Sequence, residues 1–190
     1  MKLRFFLTLL ALLGLAAIPL SAASICDAVV GNLVANCGFE TGDFTGWVVT
    51  GNTGFTGVTG SYANSGNYGG YFGAIGSDTL LTQTLPTLAG TVDLSFYLEN
   101  NGGTPNDFTV LWNGVDVGPN LLNVGSFGYT QYTFVLAGAG NDTLQFQVRQ
   151  DPSYFGLDDV VATEGPEPGT IGMLFGGLGL LVAGRLRRRA

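Results

Sequence analysis

The side chains able to do chemistry in this sequence are few and unevenly placed. Between Ser24 and Glu164 stand thirteen Asp and Glu residues and a single cation, Arg149, a formal charge of −12, and the chain has no His. The missing imidazole excludes Ser-His-Asp and Cys-His nucleophilic catalysis and His-ligated zinc. A body this acidic excludes nucleic-acid binding, which needs a basic surface. Glycoside hydrolysis needs two carboxylates about 5–10 Å apart, one with a raised pKa; many pairs are available and no motif selects one. No activated nucleophile of the transpeptidase or protease kind is visible. What remains is binding chemistry. Aromatic π-faces stack on the apolar C–H faces of sugars, with amides or charged groups beside them for the hydroxyls. Tyr62, Tyr68 and Tyr71 lie in a Gly/Asn-rich stretch, and Tyr97 falls on the polar side of an alternating segment. Arg149 shares a polar side with Gln145 and Gln147, where it either meets a ligand or pairs with Asp151 or Asp93. Trp112 shares a face with Phe108 and Val110 and reads as core; Trp47 follows a turn and reads as packed beneath the first loop.

The elements that must position these groups are strands. No segment over 27–164 shows a helical period, whereas period-two alternation recurs. Val92, Leu94, Phe96 and Leu98 alternate with Thr91, Asp93, Ser95 and Tyr97; Phe108, Val110 and Trp112 with Asp107, Thr109 and Leu111; Leu144, Phe146 and Val148 with Thr143, Gln145, Gln147 and Arg149. Thr79 to Leu85 and Gln131 to Leu136 read as two more strands. Asn113-Gly114, between Trp112 and Val115, is the signature of a type I′ hairpin turn, which needs positive φ at both central residues. Many short strands joined by Gly, Asn and Pro turns imply an all-β sandwich. Thr-Gly recurs through residues 41–60; the repeats are too few for a lattice-matching array and read as loop and short edge strands.

The two ends read as addresses. Met1-Lys2-Leu3-Arg4, an apolar run from Phe5 to Leu20, and the small residues Ser21, Ala22 and Ala23 make a secretory signal peptide over 1–23, cut before Ser24. Export makes Cys26 and Cys37 a disulfide pair, closing a small loop at an N-terminal strand. At the other end, over 165–190, Pro166-Glu167-Pro168 precedes an apolar span over 170–184 and a cluster of Arg185, Arg187, Arg188 and Arg189. The span is about 22 Å of helix, short of the ~30 Å hydrocarbon core, and the arginines orient it with the body outside.

Two resemblances attach to these residues. The Pro-Glu-Pro motif, short Gly/Leu-rich span and Arg cluster resemble the PEP-CTERM sorting signal, also labelled the ice-binding protein C-terminal domain. That resemblance implies processing by an exosortase, a membrane partner through a transmembrane helix before processing, and delivery to an exopolysaccharide or biofilm matrix. The body, 24–164, opens with Asn32-Leu33-Val34-Ala35-Asn36-Cys37-Gly38-Phe39-Glu40 through Gly46-Trp47 and closes with Tyr154-Phe155-Gly156-Leu157-Asp158-Asp159-Val160. These ends resemble family 4/9-type carbohydrate-binding modules and their galactose-binding-like jelly-roll relatives. The resemblance implies a jelly-roll β-sandwich and a structural calcium at Glu40, Asp158 and Asp159. Strand alternation puts Asp158 and Asp159 on opposite faces, so one of the two is expected to be the ligand. The expectation for the whole chain is an exported, non-catalytic matrix protein with a structural or adhesive role; the alternative is a module with a specific extracellular glycan. Extracellular polysaccharide is the expected partner and nucleic acid is not.

Overall fold

A computed structural model describes residues 22–165. The expected signal peptide, the Pro166-Glu167-Pro168 motif and the 170–184 span lie outside the described residues. Among the described residues no helix is long and apolar enough to cross a membrane.

Ten strands form two antiparallel sheets packed face to face. The first holds β1 (Val48–Gly51), β4 (Thr79–Leu85), β9 (Asp142–Gln150), β6 (Asn106–Trp112) and β7 (Val115–Leu122), in that order. The second holds β2 (Thr56–Thr59), β3 (Gly69–Phe72), β10 (Phe155–Glu164), β5 (Ala89–Asn100) and β8 (Phe127–Ala139). The alternating segments are these strands, and the apolar half of each alternation faces inward. Leu81, Phe108, Val110, Leu144, Phe146 and Val148 of the first sheet are fully buried against Phe72, Val92, Phe96, Leu98, Phe155 and Leu157 of the second. Phe96 and Phe146 meet edge-on across the interface at 5.1 Å. Both tryptophans join this core, as their positions imply, with Trp47 stacked obliquely on Phe39 and Phe146.

Local chemistry sets the joints. Asn113 and Gly114 take φ of 52° and 77° and close the β6–β7 hairpin. The Thr-Gly stretch becomes β1 and β2, each of four residues, at the edges of different sheets. Gln83 points inward from β4 and is satisfied: its Oε1 accepts from Ala35 N at 2.8 Å and its Nε2 donates to the carbonyls of Ala35 and Gly46. It thus pins the opening segment to the sandwich. Cys26 and Cys37 are disulfide-bonded, but they clip a 3-10 turn (Ile25–Ala28) to the loop after it, and no strand lies there. The segment touches β10 only through isolated backbone bonds, Leu33 N to the Ala162 carbonyl and Val160 N to the Cys37 carbonyl, which make no continuous ladder.

Candidate functional site

One loop, residues 60–68 between β2 and β3, organises both groups of residues singled out above. It lies against the outer face of the second sheet, and that face is cut back to receive it. In register, Gly57 of β2, Tyr71 of β3, Gly156 of β10 and Glu99 of β5 form one row. A Cβ on Gly57 would lie 2.6 Å from Tyr71 Oη, and one on Gly156 would lie 2.7 Å from both Tyr129 Oη and Glu99 Cγ. The two glycines therefore leave space that only aromatic rings and the Glu99 stem occupy.

Over this floor three tyrosines gather. Tyr62 stacks on Tyr71 with centroids 5.5 Å apart and planes 29° from parallel. Tyr154 closes the cluster, 5.9 Å from Tyr62 and 5.6 Å, edge-on, from Tyr71. All three are half-buried, so part of each ring remains open to solvent. Asn101 Nδ2 donates to Tyr62 Oη at 3.1 Å, and Tyr129 Oη donates to the Tyr62 carbonyl. Glu99 is pushed up from the usual carboxylate range by burial, and burial likewise pushes the Tyr129 phenol up. Beside the rings a cavity of about 350 Å³ is lined by Glu99, Asn100, Asn101, Ser126, Phe127 and Gly128. An aromatic step joined to a cleft edged with amide, hydroxyl and carboxyl groups is suited to a polyhydroxylated ring, the rings taking C–H faces and the polar groups the hydroxyls.

The same loop meets the acidic residues. Asp158 Oδ2 accepts from the backbone N–H groups of Asn64 and Ser65 at 2.8 and 3.2 Å. Asp159 accepts from Asn64 Nδ2 at 2.8 Å, from Ser65 Oγ at 2.7 Å and from Ser24 Oγ at 2.5 Å. Glu40 accepts from Asn67 N at 2.8 Å and from Tyr68 N at 3.2 Å. All three expected residues meet the one loop, but Asp158 and Asp159 hold residues 64 and 65 while Glu40 holds 67 and 68, and the three carboxyl groups do not converge at metal-ligand spacing. The expectation that Asp158 and Asp159 face opposite ways is corrected. The β10 register shifts between Asp158 and Val161, and Asp159 adopts φ of 52°, so this bulge turns both carboxyls to the loop and buries both. Burial, and then the adjacent Asp159 charge, push the Asp158 carboxyl up to about 8.

Of the three, Asp158 and Asp159 fit calcium by donor chemistry. The donors are hard oxygens on irregular backbone, which that ion accepts. The two aspartates are buried with no cation beside them: the ion pair among the described residues, Arg149–Asp151 at 2.9 Å, lies on the other sheet. The one cluster of three Cys, Asp or Glu side chains at metal-ligand spacing among the described residues, Cys26, Asp27 and Cys37, has both sulfurs committed to the disulfide.

The five residues expected to touch a glycan do not form one site. Tyr62 and Tyr71 come together. Tyr68 stands apart, 39% exposed, against Gly42. Tyr97 pairs in register with Asp158 and Gln131, farther along the face. Arg149 projects from the first sheet and is held by Asp151. Tyr154, Glu99 and Asn101 were not legible as site residues, because only the β3–β10–β5 pairing reveals that they adjoin Tyr71.

No family profile and no curated protein matches the chain. Solved structures do resemble it. A family 61 carbohydrate-binding module, TmCBM61, solved with β-1,4-galactotriose, aligns with a TM-score of 0.54 at 21% identity over 70% of this chain and 99% of that one. The CBM22-1 xylan-binding domain of Paenibacillus barcinonensis Xyn10C aligns at 0.51 and 17% identity, over 67% and 90%. The K1 cleaved adhesin domain of Lys-gingipain from Porphyromonas gingivalis W83 aligns at 0.53 and 19% identity, over 68% and 96%. At these identities the likeness establishes the fold: the chain carries a two-sheet β-sandwich of the kind seen in carbohydrate-binding modules.

Proposed function

We propose that this domain binds a neutral extracellular polysaccharide through Tyr62, Tyr71 and Tyr154, without catalysing its cleavage. The observation that carries the reading is the stacked Tyr62–Tyr71 pair on its glycine floor, opening beside the Glu99–Asn101 cleft. The ligand is neutral because the platform contains Glu99 and no cation, in a body of charge −12, so uronates or sulfated sugars would be repelled. Structures of the same fold bound to β-1,4-galactotriose, or named for xylan binding, support a glycan ligand class. We also propose that Asp158 and Asp159 hold a calcium ion, whose chemistry there is structural: it offsets the buried charge and fixes the loop that carries Tyr62.

The tail sequence supports the address. The Pro166-Glu167-Pro168 motif with its apolar span and arginines resembles an exosortase signal, which would deliver the domain to the matrix whose polysaccharide it binds. The test is affinity electrophoresis and calorimetry of the purified protein against β-1,4-galactan, xylan and an anionic polysaccharide, with and without calcium. Retardation by a neutral glycan that Tyr71→Ala weakens supports the reading. A folded protein retarded by none, or a Tyr71→Ala variant that binds as before, overturns it.

A further inference from the structure

The two sheets expose four edges, and three are blunted. The edge strands β1 and β2 have four residues each. β7 contains Pro119 and Asp116, and its pairing to β6 shifts register twice. These are the usual devices against edge-to-edge association. The fourth edge, β8, is neither short nor broken by proline or charge, and its one register shift is confined to the Phe127–Thr130 end. It runs for thirteen residues, Phe127–Ala139, without proline, and no charged residue occurs anywhere between Asp116 and Asp142. Among the described residues it pairs with β5 alone.

The direction of its unpaired groups follows from the ladder. Thr91 gives its carbonyl to Gly165 N, on the β10 side of β5. Ala137, opposite Thr91, therefore turns its N–H and C=O away from β5, and its carbonyl accepts from Trp112 Nε1 at 2.9 Å. By the two-residue period, Val135, Thr133 and Gln131 also direct both backbone groups outward. Val135 is 76% exposed, and Tyr132, Phe134 and Leu136, which pack on the core from this strand, remain only half-buried at the open side.

We infer that β8 is a self-association edge that pairs antiparallel with β8 of a second copy of this chain. Two identical strands related by a two-fold axis are complementary by construction. A centre at Thr133 sets Thr133 against Thr133 and Gln131 against Val135 of the second copy, with both backbone bonds exchanged at each pair. The uncharged stretch lets two bodies of strongly negative charge meet where neither carries it, and the new neighbour covers the half-buried aromatic residues. Such a dimer would carry two tyrosine platforms, so a repeating polysaccharide would be held by avidity.

Sedimentation of the purified protein over a concentration series tests this, with Thr133→Pro and Val135→Lys as variants. Thr133→Pro removes an outward N–H and no β5 bond; Val135→Lys places a charge on the edge without altering the backbone. The expected result is a dimer for the wild type and at least a ten-fold weaker dimer for both variants, with unchanged circular dichroism. Asn120→Lys on β7 should leave the dimer intact. A monomer at about 100 μM, or a dimer that Val135→Lys leaves unchanged, overturns the inference. Binding of short oligosaccharides, which do not bridge two platforms, is unaffected by either variant and keeps this test separate from the glycan reading.

Discussion

The outer faces of the two sheets are built from similar strands and differ in what stands on them. On the first sheet the outward positions of β4, β9 and β6 all carry side chains, among them Thr82, Gln145, Gln147, Arg149 and Thr109, and these satisfy one another. Gln145 Nε2 donates to Thr82 Oγ1 at 2.9 Å, Gln147 to Asp78, and Arg149 to Asp151. On the second sheet Gly57 and Gly156 interrupt the side-chain layer, and the 60–68 loop with its tyrosine cluster fills the gap. The first face is a continuous side-chain layer, polar but for Leu80 and Leu111; the second is a recessed floor that the loop and its tyrosines cover. Outward glycines thus distinguish the proposed binding face more clearly than polar side chains do, since a polar outer face is the default of any half-exposed sheet.

The largest break in this contrast should come from the disulfide. Cys26 and Cys37 fasten the segment whose Ser24 and Cys26 backbone reach Asp159, on the second-sheet side. Replacing both by Ser should lower unfolding stability by about 2–3 kcal/mol, read by chemical denaturation, because the loop closed is short. Next, Tyr62→Ala with Tyr71→Ala should weaken glycan binding roughly 30-fold, at about 1 kcal/mol for each ring, while Gln145→Ala with Gln147→Ala on the opposite face leaves it unchanged; calorimetry compares the two.

The pH profile sharpens the contrast further. An Asp at the ordinary 3.8 in the unfolded chain has lost its proton at a pH where the folded Asp158, near 8, retains it. Between those values the unfolded chain binds fewer protons, so stability falls as pH rises through that window and levels off above it. Thermal melts without calcium should show that fall, and saturating calcium should flatten it by holding the carboxylate ionised. The smallest effect belongs to Arg149→Ala, whose partly exposed pair with Asp151 contributes under about 1 kcal/mol and whose loss should leave glycan affinity within two-fold.

Much of this was legible in the residues. The strands β4, β5, β6 and β9 and the Asn113-Gly114 hairpin follow from alternation and turn chemistry alone, and Trp112 announced its burial by sharing a face with Phe108 and Val110. That Glu40, Asp158 and Asp159 all meet one loop was legible only through resemblance at the two ends of the domain. The geometry there was not, because a bulge that needs Asp159 at positive φ leaves no mark in an alternating pattern. Nor did the sequence reveal Tyr154 beside Tyr71: they are far apart in the chain and meet only when β10 pairs with β3. Long-range strand order is what local pattern leaves open, and the tyrosine cluster is made by it.

The most direct measurement is the affinity of wild type and Tyr71→Ala for a panel of neutral polysaccharides in saturating calcium, with both proteins verified as folded. The account predicts saturable binding by the wild type to at least one glycan and a drop of about five-fold in the variant. Equal affinities, or a folded wild type that binds none of the panel, would contradict it.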